Sequence, residues 1–482
     1  MNKRNFKITG LLFAVLFFIN MCGNQDEIVA EFGKHQISLN EFRLSYLKLL
    51  KTPDTFDSRE LREAYLQELI NRRLLARSAE KLGYYDENLQ YRVNAYRDKK
   101  LRDEHYKAVI KPKVQIEDEQ VERVYQYMQE SRHIRHLFAE TRETADSLFN
   151  LLKQGASFDS LAEKIYNIPE LEPNSGDLGW VNWDELDYPM AMAAFALKPG
   201  KISRPVRSRH GYHIIQVLDY KMVPLVSEQE FTAREKKTRY LAEYKMGDFI
   251  AATYLDDMMQ NAEIKVISKI MQIVGTLLSD HFSRKPSEYD AMYERQLSEK
   301  EYNELSNSLW DHREETLAMI NGKPLTVGEF ISALEYVPYD ILFQGFTPAL
   351  DTVFRDVLLS RQAEKMNLHK RQTVRLQTNL YREYLLQLAL RRQLVREVQV
   401  TDTEIRIEFE KNVLPDHPRV EFDSTRDVLK EQLLQSKKQS AVPNYIDSLR
   451  QNLHIKIFPE VIHQYYQSIY DNRQPHEKGL QS

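Results

Sequence analysis

A seventeen-residue stretch of this chain recurs in related form. "LQELINRRLLARSAEKL" (66–82) lies over "LDTVFRDVLLSRQAEKM" (350–366) with seven identities at an offset of 284, and "VQIEDEQV" (114–121) lies over "VQVTDTEI" (398–405) at the same offset. Further on, "YLDDMMQNAEIKV" (254–266) lies over "YIDSLRQNLHIKI" (445–457) at an offset of only 191. The first copy therefore carries 93 residues that the second lacks. A duplicated unit must find two equivalent packings for one pattern, which constrains the fold more than any local propensity. The expectation is two related modules, the first interrupted by an inserted domain.

Each copy opens alike, in "EIVAEFGKHQISLNEF" and "TLAMINGKPLTVGEF": a short β-prone run, a Gly turn, a second short run and a helix start. That pattern reads as a hairpin followed by helices. In the first copy Asp57 and Glu60 fit a capping box, Leu61, Tyr65, Leu69 and Ile70 recur at helical spacing, and Gly83 is a C-terminal stop. Long amphipathic helices follow to about 130 and again from 228 to 260. Most of their apolar stripes read as core. The 27 Tyr of the chain also suit a cradle for extended polypeptide. The resulting division is 1–22 as a leader, 27–130 plus 224–268 as the first module and 131–223 as the insert. Residues 269–316 then read as a helical connector, 317–460 as the second module, and 461–482 as a polar tail.

A chain of 482 residues exceeds one ordinary core. Its 42% hydrophobic and 29% charged residues suit a folded, largely helical protein, and a formal charge of −4 argues against nucleic acid as a partner. No Gly-rich phosphate loop follows a strand, and the histidines lack metal-ligand spacing, so neither metal nor cofactor is expected. At the N-terminus Lys3, Arg4 and Lys7 precede an apolar run at 8–21 that suits a secretory leader, and Cys22, the single cysteine, closes it. "INMC" followed by Gly23 resembles a bacterial lipobox, with Met21 where a small residue is usual. The implied location is the periplasm, with a lipid on Cys22 anchoring the protein to a membrane, the outer one in preference to the inner.

The insert raises a sharper question, because "GYHIIQVLDY" (211–220) puts a histidine where a buried strand begins. A lone His on an apolar strand is ordinarily a satisfied core residue. Its surroundings change the reading. "IRHLFAETRETADSLFNLLKQGASFDSLAEKI", "SGDLGW" (175–180), "AAFALKPGKISRPV" (193–206) and "GYHIIQV" (211–217) together resemble, in order, the motifs of a parvulin-type peptidyl-prolyl cis-trans isomerase. The flanking modules are similar to the chaperone parts of exported isomerases of the SurA, PrsA and PpiD kind. The resemblance implies an α+β fold: mainly helical chaperone modules in two copies, with a parvulin α/β domain inserted in the first.

It further implies that His136 and His213 form the paired active-site imidazoles, with Ser208 as the hydroxyl of their network. Leu186, Met190 and Phe195 match the apolar proline pocket, while His133 and His210 fall off the motif and read as surface residues. Two departures stand out. Met190 occupies a position that is usually Phe, and Pro169 occupies one that is usually Cys or Asp, with Glu170 and Glu172 nearby. The implied function is an isomerase and chaperone for exported or outer-membrane proteins, with unfolded or proline-containing polypeptides as clients. Because Pro169 cannot supply a polar side chain, a holdase whose parvulin domain only binds peptide remains the alternative.

Overall fold

The computed structural model describes residues 26–166, 176–222, 228–282, 296–451 and 453–478. The leader with Cys22 and the loop with Pro169, Glu170 and Glu172 lie outside these residues. The chain is a mostly helical α+β protein. Its elements begin with β1 (Ile28–Phe32), β2 (His35–Ser38), α1 (Leu39–Leu49), α2 (Arg59–Lys81), α3 (Glu87–His105) and α4 (Asp118–Tyr127). The inserted segment supplies β3 (Glu130–Ala139), α5 (Arg142–Lys153), α6 (Phe158–Tyr166), β4 (Asp177–Asn182), α7 (Tyr188–Ala196), β5 (Val206–Arg207) and β6 (Tyr212–Met222). Next come α8 (Glu228–Gln260), β7 (Ile264–Val266), α9 (Ser268–Phe282), α10 (Glu299–Ser308), β8 (Thr316–Ile320), β9 (Lys323–Thr326), α11 (Val327–Leu334), α12 (Tyr339–Gln344) and α13 (Phe346–Lys365). The chain closes with α14 (Gln372–Arg396), α15 (Asp402–Asn412), α16 (Phe422–Gln451), β10 (Ile455–Ile457) and α17 (Pro459–Lys478).

Two compact units result, one of Met1–Asp86 with Asn379–Ser482 and the other of Glu87–Thr378. They differ from the modules expected from the repeat, and the sheets show why. In the first unit β10, from the second copy, pairs antiparallel with β1, Ala30 opposite Ile457. In the second unit β7, from the first copy, pairs with β8, Ile264 opposite Ile320. Each hairpin thus takes the closing strand of the other copy. The two strands read IKV and IKI, so either satisfies an open hairpin edge, and the local pattern contains nothing to choose between them.

Helix starts follow capping chemistry. Ser38 with Glu41 and Thr326 with Glu329 form capping boxes at equivalent places in the two copies. At α2 the cap is Ser58, whose hydroxyl accepts from the Leu61 amide at 3.1 Å. Asp57, expected to cap, instead accepts from Arg62 at 2.8 Å and from the Tyr46 hydroxyl at 2.7 Å. Gly83 ends α2 at φ +83°, where L side chains are disfavoured.

Two further expectations are corrected. The segment 269–316 is no connector: Val274 of α9 and Tyr302 and Leu305 of α10 are buried in one cluster with the second hairpin and α13. The start of the expected polar tail at 461–482 is packed, since Ile462 and Tyr466 of α17 are buried with Phe32, Phe42 and Tyr46. Periodic apolar residues on short helices look polar overall while one stripe is fully buried.

Within the first unit Arg73 holds the two copies together. Its guanidinium is 5% exposed and donates to Glu41 and to Glu383, each at 3.0 Å, and to the Gln36 carbonyl at 2.7 Å. Burial pushes the Glu383 carboxyl up, against the pull of Arg73. Removing the cation leaves two poorly solvated carboxylates face to face, a loss of about 3–5 kcal/mol for a broken buried pair. Arg73→Ala is therefore expected to lower the urea midpoint of the chain by an amount of that order. A loss below about 1 kcal/mol would contradict the burial of this triad.

Candidate active site

The insert builds one four-stranded antiparallel sheet in the order β4-β3-β6-β5. Its two faces follow from the register of β3 on β6, in which Ile134 opposes Val217, His136 opposes Ile215, and Phe138 opposes His213. Opposed residues share a face and alternate along the strand. Leu137 and Ile214 point the other way, into a core with Phe158, Leu161 and Ala162 of α6. The first face is covered by α7 through Met190, Ala191, Ala194 and Phe195. It also shares its apolar cluster with Ile116 and with Val121 and Val124 of α4 and Ala242 of α8. The insert is accordingly continuous with the helices that flank it. Its expected boundaries at 131 and 223 cut through a common core.

On that face the two expected histidines meet. Nδ1 of His136 lies 2.7 Å from Nδ1 of His213, with the rings nearly parallel. On its other side Nε2 of His213 lies 2.8 Å from Oγ of Ser208, which also accepts from the His210 amide at 3.0 Å. The 208–211 turn is closed by the Ser208 amide donating to the Gly211 carbonyl at 2.7 Å. Gly211 sits at φ +144°, and a Cβ there would come within 2.7 Å of the Ala139 carbonyl oxygen. Only glycine fits ahead of His213, which accounts for the "GYH" opening of this strand.

These contacts dictate protonation. A 2.7 Å approach of two Nδ1 atoms has room for one proton, so one imidazole donates and the other accepts. Burial pushes His213 down to about 4, His136 beside it adds to the effect, and Asp187 opposes it. Burial also lowers His136. Both rings are neutral at neutral pH, and Ser208, His213 and His136 form a chain of hydrogen bonds that carries no net charge.

The three expected pocket residues share one buried apolar cluster. Leu186 and Met190 are buried beside the sheet face, in one cluster with Ile134 and Ile215. Phe195 is buried in the same cluster, packed against Tyr127 and under Arg132. Arg132 donates to the Phe195 and Leu197 carbonyls at 3.1 and 2.8 Å, terminating α7. His210 is exposed, as expected. His133 is not a plain surface residue: its Nε2 lies 2.9 Å from the Asp177 carboxylate, which also accepts from the Gly179 amide at 2.8 Å. It thereby shapes the Gly-Asp-Leu-Gly turn.

Four residues beyond the expected site set contribute, Tyr166, Gly176, Leu178 and Trp180. The Tyr166 hydroxyl accepts from the Phe138 amide at 3.0 Å and donates to the His136 carbonyl at 3.1 Å, fixing the strand that carries His136. Leu178 and Trp180 leave large apolar side chains partly exposed on β4. The signal available for them was their place inside and beside the "SGDLGW" motif. Gly176 supplies the carbonyl that accepts from His136 N at 2.9 Å, and a Cβ there would lie 2.1 Å from the His136 oxygen. Among the described residues no group of three His, Cys, Asp or Glu side chains is arranged to hold a metal ion.

Comparison with known proteins finds relatives of this site. The sequence profile described as Rotamase, PPIC-type PPIASE domain, matches residues 129–219. A Bordetella bronchiseptica protein described as a probable parvulin-type peptidyl-prolyl cis-trans isomerase is 30% identical over 242 residues, 48% of this chain and 88% of its own length. The foldase protein PrsA of Halalkalibacterium halodurans is 28% identical over 260 residues, 46% of this chain and 74% of that protein. Among solved structures, one from a pair of SurA-like chaperones of Campylobacter jejuni aligns over 50% of this chain and 100% of its own, at 20% identity and a TM-score of 0.23.

The depressed histidine makes stability depend on pH with a definite sign. Between about 6.5, the ordinary imidazole value, and about 4 the unfolded chain binds a proton at residue 213 that the folded chain does not. Stability therefore rises with pH through this window and is lost as pH falls across it, by on the order of 3 kcal/mol for this residue. Tryptophan fluorescence during urea unfolding is expected to show that loss, and His213→Gln to flatten it. An equal slope in the variant would contradict a neutral buried His213.

Proposed function

The chain belongs to the parvulin-type peptidyl-prolyl cis-trans isomerases, and we propose that it serves as a folding factor for exported polypeptides, with His136, His213 and Ser208 forming its active-site chain. Rotation about an X-Pro bond costs roughly 18–20 kcal/mol because the twisted amide loses its resonance. No covalent intermediate is required. Binding the twisted amide better than either planar isomer suffices, and a preorganised, uncharged environment does this without reorganising at the moment of rotation.

The observation that carries this reading is the neutral imidazole pair, 2.7 Å apart on the face that Leu186 and Met190 border. A neutral pair can pass a hydrogen bond along Ser208, His213 and His136 as the amide nitrogen gains lone-pair character, at little electrostatic cost. Leu186 and Met190 would grip the proline ring, Met190 less rigidly than an aromatic ring would. On this reading Cys22 carries a lipid that holds the protein at the outer membrane, and the two copies of the repeat act as chaperone modules for extended clients.

A second reading has its own support. In the second unit a cleft of about 850 Å³ is lined by Tyr106, Tyr240, Tyr244 and Tyr254, with the Tyr240 and Tyr244 rings stacked at 6.4 Å and largely exposed. Such a surface suits a holdase, in which the parvulin domain binds peptide without turning it over, and Pro169 in place of an acid favours the same view. The deciding experiment uses the full chain on short X-Pro peptides with exchange followed by NMR. Acceleration that falls at least about tenfold in the His213→Ala, Met190→Ala double variant is expected from loss of both polar chain and pocket wall. Equal rates in the double variant would defeat the proposed site, and peptide binding without any acceleration by the wild type would establish the holdase.

A further inference from the structure

The turn that carries Ser208 is tied to a helix outside the inserted domain. Arg209 donates twice to Asp187, from its amide at 3.1 Å and from Nε at 3.0 Å, and donates from Nη2 to Asp248 of α8 at 2.5 Å. Next to it Arg207 donates to Asp257 of α8 at 3.1 Å, and Lys245 of α8 donates to the Asp184 carbonyl at 2.6 Å. All of these residues belong to the second unit. Asp187 occupies the N-cap position of α7, yet its carboxylate makes no cap hydrogen bond. An aspartate there ordinarily accepts from the helix's own first amides. Here it accepts from Arg209 of the turn instead, which ties the start of the pocket helix to the Ser208 turn.

The energetics decide what this arrangement is for. Arg209 and Asp248 have 41% and 42% of their side chains exposed, and exposed pairs add little to stability. Stability is a poor explanation for three cations spaced along one seam. Geometry is a better one. The Ser208 hydroxyl must stay within hydrogen-bond reach of His213 Nε2, and it sits on a four-residue turn closed from within by the Ser208 amide on the Gly211 carbonyl and the His210 amide on Ser208 Oγ.

We propose that Arg209 is a positioning residue and that α8, through Asp248, sets the placement of Ser208 on His213. The isomerase site is then a property of the whole unit and responds to whatever displaces α8. This rests on reading His136, His213 and Ser208 as the site.

The test is Asp248→Asn in the full-length chain, with Asp248→Glu as the conservative control, since Asp248 touches neither imidazole nor pocket. Two readouts are taken: the imidazole nitrogen signals of His213 by NMR, and kcat and KM for an uncharged X-Pro peptide at low salt and at about 0.5 M salt, where exposed pairs are screened. The expected result is a shift of the His213 signals, a kcat lowered about three- to tenfold and KM within about twofold, all restored by Asp248→Glu. High salt should slow the wild type and leave the Asn variant unchanged. Unmoved His213 signals overturn the proposal, as does a kcat within about twofold of the wild type. A wild-type chain that does not accelerate exchange would remove the reading of the site, and the His213 signals alone would then decide the positioning.

Discussion

Two imidazole nitrogens 2.7 Å apart leave room for a single proton, and the rest of the inserted domain is arranged around that contact. The register of β3 on β6 puts both rings on one face of the sheet, one diagonal step apart. Gly211 lets the turn approach Ala139 closely enough to start β6 at Tyr212, one residue ahead of His213, and Gly176 lets the Asp177 turn close on the His136 backbone. Burial under α7 then removes the water that would stabilise either charge, and His213 is pushed down to about 4. Sheet register, two glycines and one apolar helix together produce a neutral polar chain in a dry setting.

That setting is made jointly by the insert and its host. The apolar cluster beneath α7 includes Ile116, Val121 and Val124 ahead of the insert and Ala242 behind it. Removing the insert would expose those residues, and isolating it would uncover α7. The sheet and the long helix α8 are therefore packing partners, and the charged side chains around Arg209 span the seam between them.

Much of this was legible in the sequence, and the exceptions have physical causes. The change of repeat offset from 284 to 191 located the insert, and ordered motifs located His136, His213 and Ser208. The exchange of closing strands was not legible, because IKV and IKI are interchangeable at a hairpin edge and only tertiary placement distinguishes them. The helix α17 reads as polar because one buried stripe, Ile462 and Tyr466, is diluted by solvated neighbours. Ser58 rather than Asp57 caps α2 because Asp57 is claimed by Arg62 and Tyr46, side-chain contacts that a capping pattern does not encode. His133 and Tyr166 act through hydrogen bonds to backbone and turn, a role that leaves little trace in residue type.

The most direct test of the account is the pH profile of catalysed cis/trans exchange by the full chain on a peptide without titratable groups, with folding monitored by tryptophan fluorescence at each pH. A neutral, buried His213 predicts a rate that is flat from about pH 8 to about 5.5 and is half lost near pH 4, where that ring takes up a proton. A half-loss near pH 6.5, the ordinary value of a solvated imidazole, would contradict it.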